Sequence, residues 1–194
     1  MRTKFLFASL LMLISLGVYA QEETPVKKYG FKSAIVKLST DMMGQTVQST
    51  AYVDDYGAKE SQKIKMSVPG MGEMESGSII KDGKAWSVNY TMKQVQEVDL
   101  GEIKQPNFLD LSEDMMKEFN IQEVGTGKVL DKDCVIYTME TETQGMTAKL
   151  KVWCYKGFTL KSVTDISGMT ITATATDFQE DVMVLPQVFD VPKY

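Results

Sequence analysis

The chain has 194 residues, 21 Lys+Arg against 26 Asp+Glu, a net charge of −5 and no histidine. An acidic balance disfavours nucleic acid and anionic membrane surfaces as partners. The absence of His removes the commonest general base, the Ser-His and Cys-His nucleophile pairs and most transition-metal sites.

Arg2 and Lys4 precede an apolar run from Phe5 to Val18, and Val18-Tyr19-Ala20 is a small-x-small cleavage pattern before Gln21. These are the features of a secretory signal peptide over residues 1–20, with an apolar run short for a membrane span. No Cys follows the run, so no lipid anchor at the mature N-terminus is expected, and the location read from this is periplasmic or secreted. Residues 21–29, polar and containing Pro25, read as a flexible leader, and residues 30–194 as a single domain with a real core. Without Arg2 and Lys4, 19 lysines face 26 acidic residues, a net charge of −7, and no arginine remains. The planar fork that clamps phosphates and carboxylates is therefore missing.

Phe31 to Ser39 and Gln45 to Val53 alternate as the first two strands, separated by a turn at Gly44. The cluster Asp54-Asp55-Tyr56-Gly57 turns the chain into a third strand, Glu60 to Val68. Pro69-Gly70-Met71-Gly72 then makes SVPGMGEM a loop with apolar tips. Ser76 to Ile80 and Lys84 to Thr91 form a hairpin through Lys81-Asp82-Gly83, whose Asp-Gly pair tolerates positive φ, and Val95 to Leu100 adds a short strand. Asp110-Leu-Ser-Glu113 has capping-box form and opens a helix to about Phe119, with Leu111, Met115 and Phe119 on one face and Asn120 as its stop. Ile121 to Leu130 returns to strand character.

Cys134 to Phe178 reads as a four-stranded meander with one uncharged face. A three-residue loop Thr143-Gln144-Gly145 would oppose Cys134 to Cys154, and a second at Tyr155-Lys156-Gly157 would oppose Cys154 to Phe158. A two-residue turn at Gln144-Gly145 would instead put the cysteines on opposite faces. In an exported chain a Cys134–Cys154 disulfide is the expectation, and two buried free thiols the alternative. Ser167-Gly168 makes the last turn, pairing Thr164 with Ile171. The tail after Phe178, with two prolines, reads as a strap anchored by Leu185, Phe189 and Val191.

No nucleophile elbow or phosphate-cradling glycine motif is present, and the acidic pairs Glu140/Glu142, Asp54/Asp55 and Asp131/Asp133 sit at turns. No catalytic residue, metal site or cofactor is assigned. Of the 14 methionines, all but Met1 and Met12 lie beyond the leader. They fill core gaps, line an adaptable apolar surface or, as thioethers, hold Cu(I).

The order signal peptide, antiparallel strands, short helix, then KVWCYKGFTLKS, GMTITATATDF and LPQVFDVP resembles the LolA/LolB-like lipoprotein-carrier superfamily. More closely it resembles an uncharacterised secreted bacterial branch with W-x-x-K-G-x-x-L-K and F-x-x-P signatures, here Trp153, Lys156, Gly157, Leu160, Lys161, Phe189 and Pro192. The resemblance implies a mainly β fold, a curved antiparallel half-open barrel with one or more short helices on its concave side. It also implies an apolar interior for acyl chains, although the carriers hold their lid with an arginine that this chain lacks. The function expected is a non-enzymatic exported protein binding a lipid or other apolar small molecule. Its ligand would lie against Ile136, Leu150, Val152, Phe158, Leu160 and Ile171, with Met115 and Phe119 from the helix. Val68, Met71 and Met74 would form a gate. Two alternatives stand beside it: a structural or interaction module of the cell envelope, with an envelope protein as partner and a filled barrel, and Cu(I) handling through Met71 and Met74.

Overall fold

The structure is a computed structural model that describes residues 27–42, 44–68, 70, 72–99, 106–143 and 146–194. The expected signal peptide lies outside these residues, as does most of the expected leader. Eleven strands follow the chain: β1 Ala34–Met42, β2 Gln45–Asp54, β3 Lys59–Val68, β4 Gly72–Lys81, β5 Lys84–Asn89, β6 Gln94–Val98, β7 Gln122–Val129, β8 Lys132–Thr143, β9 Met146–Tyr155, β10 Phe158–Ile166 and β11 Met169–Glu180. One helix, α1 (Glu113–Glu118), lies between β6 and β7. All the strands join one antiparallel sheet in the order β6-β5-β4-β3-β2-β1-β11-β10-β9-β8-β7. The sheet is not closed, as a half-open barrel requires, and β6 and β7 are its two edges.

Ladder register defines the two faces. Ala34, Val36, Leu38, Thr40 and Met42 of β1 stand opposite Val53, Ala51, Ser49, Val47 and Gln45 of β2. From β11, Ala175, Ala173 and Ile171 join them, and beyond lie Ser162 and Thr164 of β10 and Val152 and Leu150 of β9. This inner face carries much of the core. The outer face carries Lys37, Lys63, Lys65, Lys149 and Lys151, the alternation that one buried side dictates.

Four hairpin turns are two-residue turns with both central residues at positive φ. They are Asp82 and Gly83 (53° and 71°), Leu130 and Asp131 (50° and 60°), Lys156 and Gly157 (47° and 85°), and Ser167 and Gly168 (53° and 83°). Their handedness matches the right-handed strand twist. This corrects the expected meander. Tyr155 pairs with Phe158, and Thr143 with Met146 across Gln144-Gly145, so both expected three-residue loops have two residues. Cys154 consequently faces Val135, and Ile136 faces Trp153. A one-residue slip moves Cys134 and Ile136 away from the face of Val152 and Leu150, and Val135, Tyr137 and Met139 take their place. Leu160 is the extra residue of a bulge between Thr159 and Lys161, after which Thr164 pairs with Ile171 as expected.

The expected SVPGMGEM loop is mostly ladder: Met66 pairs with Met74 and Val68 with Gly72. The helix is capped by Ser112, whose hydroxyl accepts from the Met115 N–H, rather than by Asp110. Asn120 at φ 48° stops it as expected. The C-terminal strap packs a 3-10 turn, Pro186–Phe189, beside β3 and β4, burying Phe189, whereas Leu185 is exposed.

Residues 28–31 seal one end of the sheet, hereafter the base. Tyr29 and Phe31 stack at 5.4 Å, and Phe158 and Phe178 close around them at 5.3–6.2 Å. Tyr29 therefore belongs to the core rather than to a flexible leader. The turn beneath them is tight: at Gly157, with φ 85°, an added Cβ would lie 2.5 Å from the Lys28 carbonyl oxygen. Gly168, with φ 83°, has open space around it. Gly157→Ala should therefore cost ~2–4 kcal/mol and Gly168→Ala only ~1–2 kcal/mol, read as shifts of the urea midpoint.

Candidate functional site

β6 and β7 lie at opposite edges, and the described residues 106–121 return to the sheet before β7. Phe108 shows on which side: its ring meets that of Tyr137, an inner-face residue opposite Val152, at 5.4 Å. Asn107 holds the start of this stretch, donating from Nδ2 to the Lys27 carbonyl (3.2 Å) and accepting the Leu109 N–H (3.0 Å). α1 itself has no fully buried residue, and Met115 and Phe119 are only half-buried. The inner face of the sheet is thus the candidate site, with aromatics at its base and Phe108, ahead of the short helix, packed on it.

The predicted ligand residues divide. Leu150, Val152 and Ile171 share the inner face, with Val152 and Ile171 buried. Phe158 and Leu160 are buried in the core cluster at the base. Ile136 is displaced from this face by the register change described above. Of the expected gate, Met71 and the side chain of Val68 lie outside the described residues. Met74 is half-buried opposite Met66 at the end of the sheet away from the base, hereafter the rim. Met42, Met139 and Met169 also lie on the inner side near the rim ends of their strands. The methionine-rich composition is the signal that could have found this border, once the register was known.

Sequence reasoning missed the polar content of the inner face. Gln62, Ser78, Ser87 and Gln96 stand in direct register across β3, β4, β5 and β6. Gln62 Nε2 donates to Ser49 Oγ at 3.4 Å. Leu38, Thr40, Val47, Ser49, Gln62, Ile64 and Ala173 surround a central void of about 10 Å³, room for about one water and not for an acyl chain. A larger cleft of about 340 Å³, lined by Thr138, Glu140, Lys149, Lys151 and Asp165 among others, is open and charged.

Glu60 sits at the base of the inner face, between Val53 and Ile80 in the ladder. Its carboxylate receives Lys28 Nζ at 2.7 Å and the Tyr29 hydroxyl at 3.1 Å. Burial pushes its pKa above the ordinary 4.5 and outweighs the opposing pull of Lys28 and Tyr29. The folded state therefore holds this proton more tightly than the unfolded chain. Stability from Glu60 is full below the unfolded pKa and is lost as pH rises through the folded one. Glu60→Gln should flatten this part of the stability profile from about pH 4.5 upward, measured by urea unfolding at stepped pH; an unchanged slope would refute the assignment.

Cys134 and Cys154 are free, buried thiols, which corrects the expected disulfide. Cys134 Sγ lies 3.4 Å from the Lys132 carbonyl and Cys154 Sγ lies 3.6 Å from Thr159 Oγ1. Burial pushes the Cys154 thiol up to about 12, which leaves it un-ionised and inert. Without reductant, alkylation should modify both cysteines in the denatured protein and neither rapidly in the native one, as read by intact mass.

The described residues contain no group of three or more His, Cys, Asp or Glu placed to hold a metal ion. Among them no helix is long and apolar enough to cross a membrane. No protein-family model and no curated protein matches the chain. Solved structures do. An uncharacterized conserved protein from Thermus thermophilus is 13% identical, with a TM-score of 0.56, over 87% of this chain and 90% of that one. MucB in the Pseudomonas aeruginosa MucA/MucB complex is 13% identical, with a TM-score of 0.52, over 82% of this chain. A separate MucB structure is 10% identical, with a TM-score of 0.52, over 95% of this chain. The matches span 56% and 62% of the two MucB chains. At such identities the likeness shows the fold alone, the mainly β, unclosed antiparallel sheet that the sequence resemblance implies.

Proposed function

We propose that this is an exported, non-enzymatic binding protein that holds a lipid or other apolar molecule against the inner face of its open sheet. One observation carries the reading. Among the described residues, the ladder of β1–β5 places a single charged side chain on the inner face, Glu60, and that one is neutralised at the base by Lys28. Leu38, Val47, Ile64, Val152, Ile171 and Ala173 on this unclosed sheet are already buried, so a ligand there would have to keep them covered, at about 25 cal/mol per Å² of apolar surface. At the void of about 10 Å³ beside Leu38 and Ile64, the ligand would take the place of chain that covers the face. Residues 106–121 suit such a lid, because α1 buries no residue completely. Methionines along the rim would adapt to the shape of what enters.

Native mass spectrometry of the protein isolated from its host envelope should show a lipid-sized adduct. Phe108→Ala, which removes the lid's ring contact with Tyr137, should speed uptake of an environment-sensitive apolar dye severalfold without changing the β-sheet signal. A protein with no adduct and no dye uptake would instead favour the filled-barrel reading. In that reading the chain is an envelope interaction module, supported by the fold it shares with MucB, a protein solved in complex with MucA.

A further inference from the structure

The inner face is not uniformly apolar, and its polarity has a direction. From β1 toward β11, β10 and β9 it is mainly apolar, with Leu38, Ala175, Ala173, Ile171, Val152 and Leu150 around the hydroxyls of Thr40, Ser162 and Thr164. From β3 toward the β6 edge it presents the row Gln62, Ser78, Ser87 and Gln96. Ser78 is buried, Ser87 is half-buried, and Gln96 on the edge strand is exposed. The row therefore runs from the interior to solvent. These groups are neutral donors and acceptors. An amide offers four hydrogen-bonding positions and a hydroxyl three.

Charge narrows the choice. Every lysine of β1–β5 and β9–β11 lies on the outer face, and no arginine follows Arg2. A phosphate or carboxylate brought beside Gln62, Ser78 and Ser87 would lose water without meeting a lysine of these strands, at a cost that an apolar tail would have to offset. An uncharged headgroup loses less water and finds partners along the row.

We propose that the site selects an amphiphile with an alkyl chain and an uncharged, hydroxyl- or amide-bearing headgroup. The chain lies along Leu38, Val47, Ile64 and Ala173, and the headgroup along Gln62, Ser78 and Ser87. This rests on the reading of the inner face as a ligand site.

The test is dye displacement from the purified full-length exported protein by three probes: monoolein, oleate and octadecane. Monoolein should displace the dye at about tenfold lower concentration than oleate, equivalent to ~1.4 kcal/mol. Gln62→Leu should abolish that preference while leaving octadecane binding in place. Ser87→Val, nearer the edge and less demanding on folding, should weaken monoolein alone. Equal or tighter binding of oleate would overturn the headgroup assignment and leave apolar binding standing. So would a preference unmoved by both variants. If none of the three probes displaces the dye, the ligand site itself is refuted.

Discussion

Everything else in this molecule depends on the ladder between β1 and β11. Each of the other neighbouring pairs in the sheet joins strands consecutive in the chain. The β1–β11 pair alone joins strands far apart, from Ala34 opposite Glu180 to Met42 opposite Ile171. It converts two meanders, β1–β6 and β7–β11, into one sheet. Without it each half would expose an edge, and the inner face would be split beside Leu38 and Ala173. Its entropy cost is that of closing nearly the whole domain, which grows only slowly with loop length but falls on this ladder alone. Two further links reinforce it: the Asp181 N–H donates to the Ser33 carbonyl at 2.7 Å, and the Ser33 hydroxyl donates to the Val182 carbonyl at 2.6 Å. A slow, non-local step in folding follows from this topology.

The sheet was largely legible in the sequence, and its register was not. Alternation located nearly every strand, and the Ser167-Gly168 turn is where it was expected, whereas Lys81, expected in a turn with Asp82-Gly83, pairs with Lys84 and leaves Asp82-Gly83 as the loop. The errors came from one assumption, that a hairpin needs glycine at the last of three loop residues. At Lys156-Gly157 the lysine itself adopts φ 47°, so the loop loses a residue. At Leu130-Asp131 two non-glycine residues do the same, which nothing in their chemistry advertises. One residue of register then decides a chemical question. It separates Cys134 from Cys154, replaces a disulfide by two buried thiols, and exchanges Ile136 for Tyr137 on the inner face. Tyr137 in turn is what Phe108 packs on, so that contact was invisible without the register.

The polar row was missed for a related reason. Gln62, Ser78, Ser87 and Gln96 are ordinary residues in four separate strands, and only hydrogen-bonded registration lines them up. Alternation within a strand says which residues share a side of that strand. It does not say which side faces the core, because Ile79 and Val88 on the outer side are as buried as Ile80 and Ala85 on the inner. The strap explains the exception: its 3-10 turn with buried Phe189 lies beside β3 and β4. β3 and β4 thus meet a further layer at the strap, whereas β1 and β2 keep the simple alternation that the sequence displays.

The base of the inner face poses the opposite problem, a charge where hydrophobic residues would pack as well. Replacing a buried ion pair by apolar residues is often neutral or stabilising, so Lys28–Glu60 is weak as a source of stability. What it supplies is position. Glu60 accepts from both Lys28 and Tyr29, two adjacent residues whose side chains would otherwise be free to choose among the aromatics at the base. An apolar residue in place of Glu60 would accept Tyr29 or Phe31 in several registers, since aromatic packing is tolerant of sliding. Two hydrogen bonds of 2.7 and 3.1 Å to one carboxylate admit only one. That register sets Gly30 to donate to the Lys156 carbonyl at 2.9 Å and brings the Lys28 carbonyl against Gly157. The N-terminal segment is thereby tied to the β9–β10 turn, across the long-range ladder on which the single sheet depends.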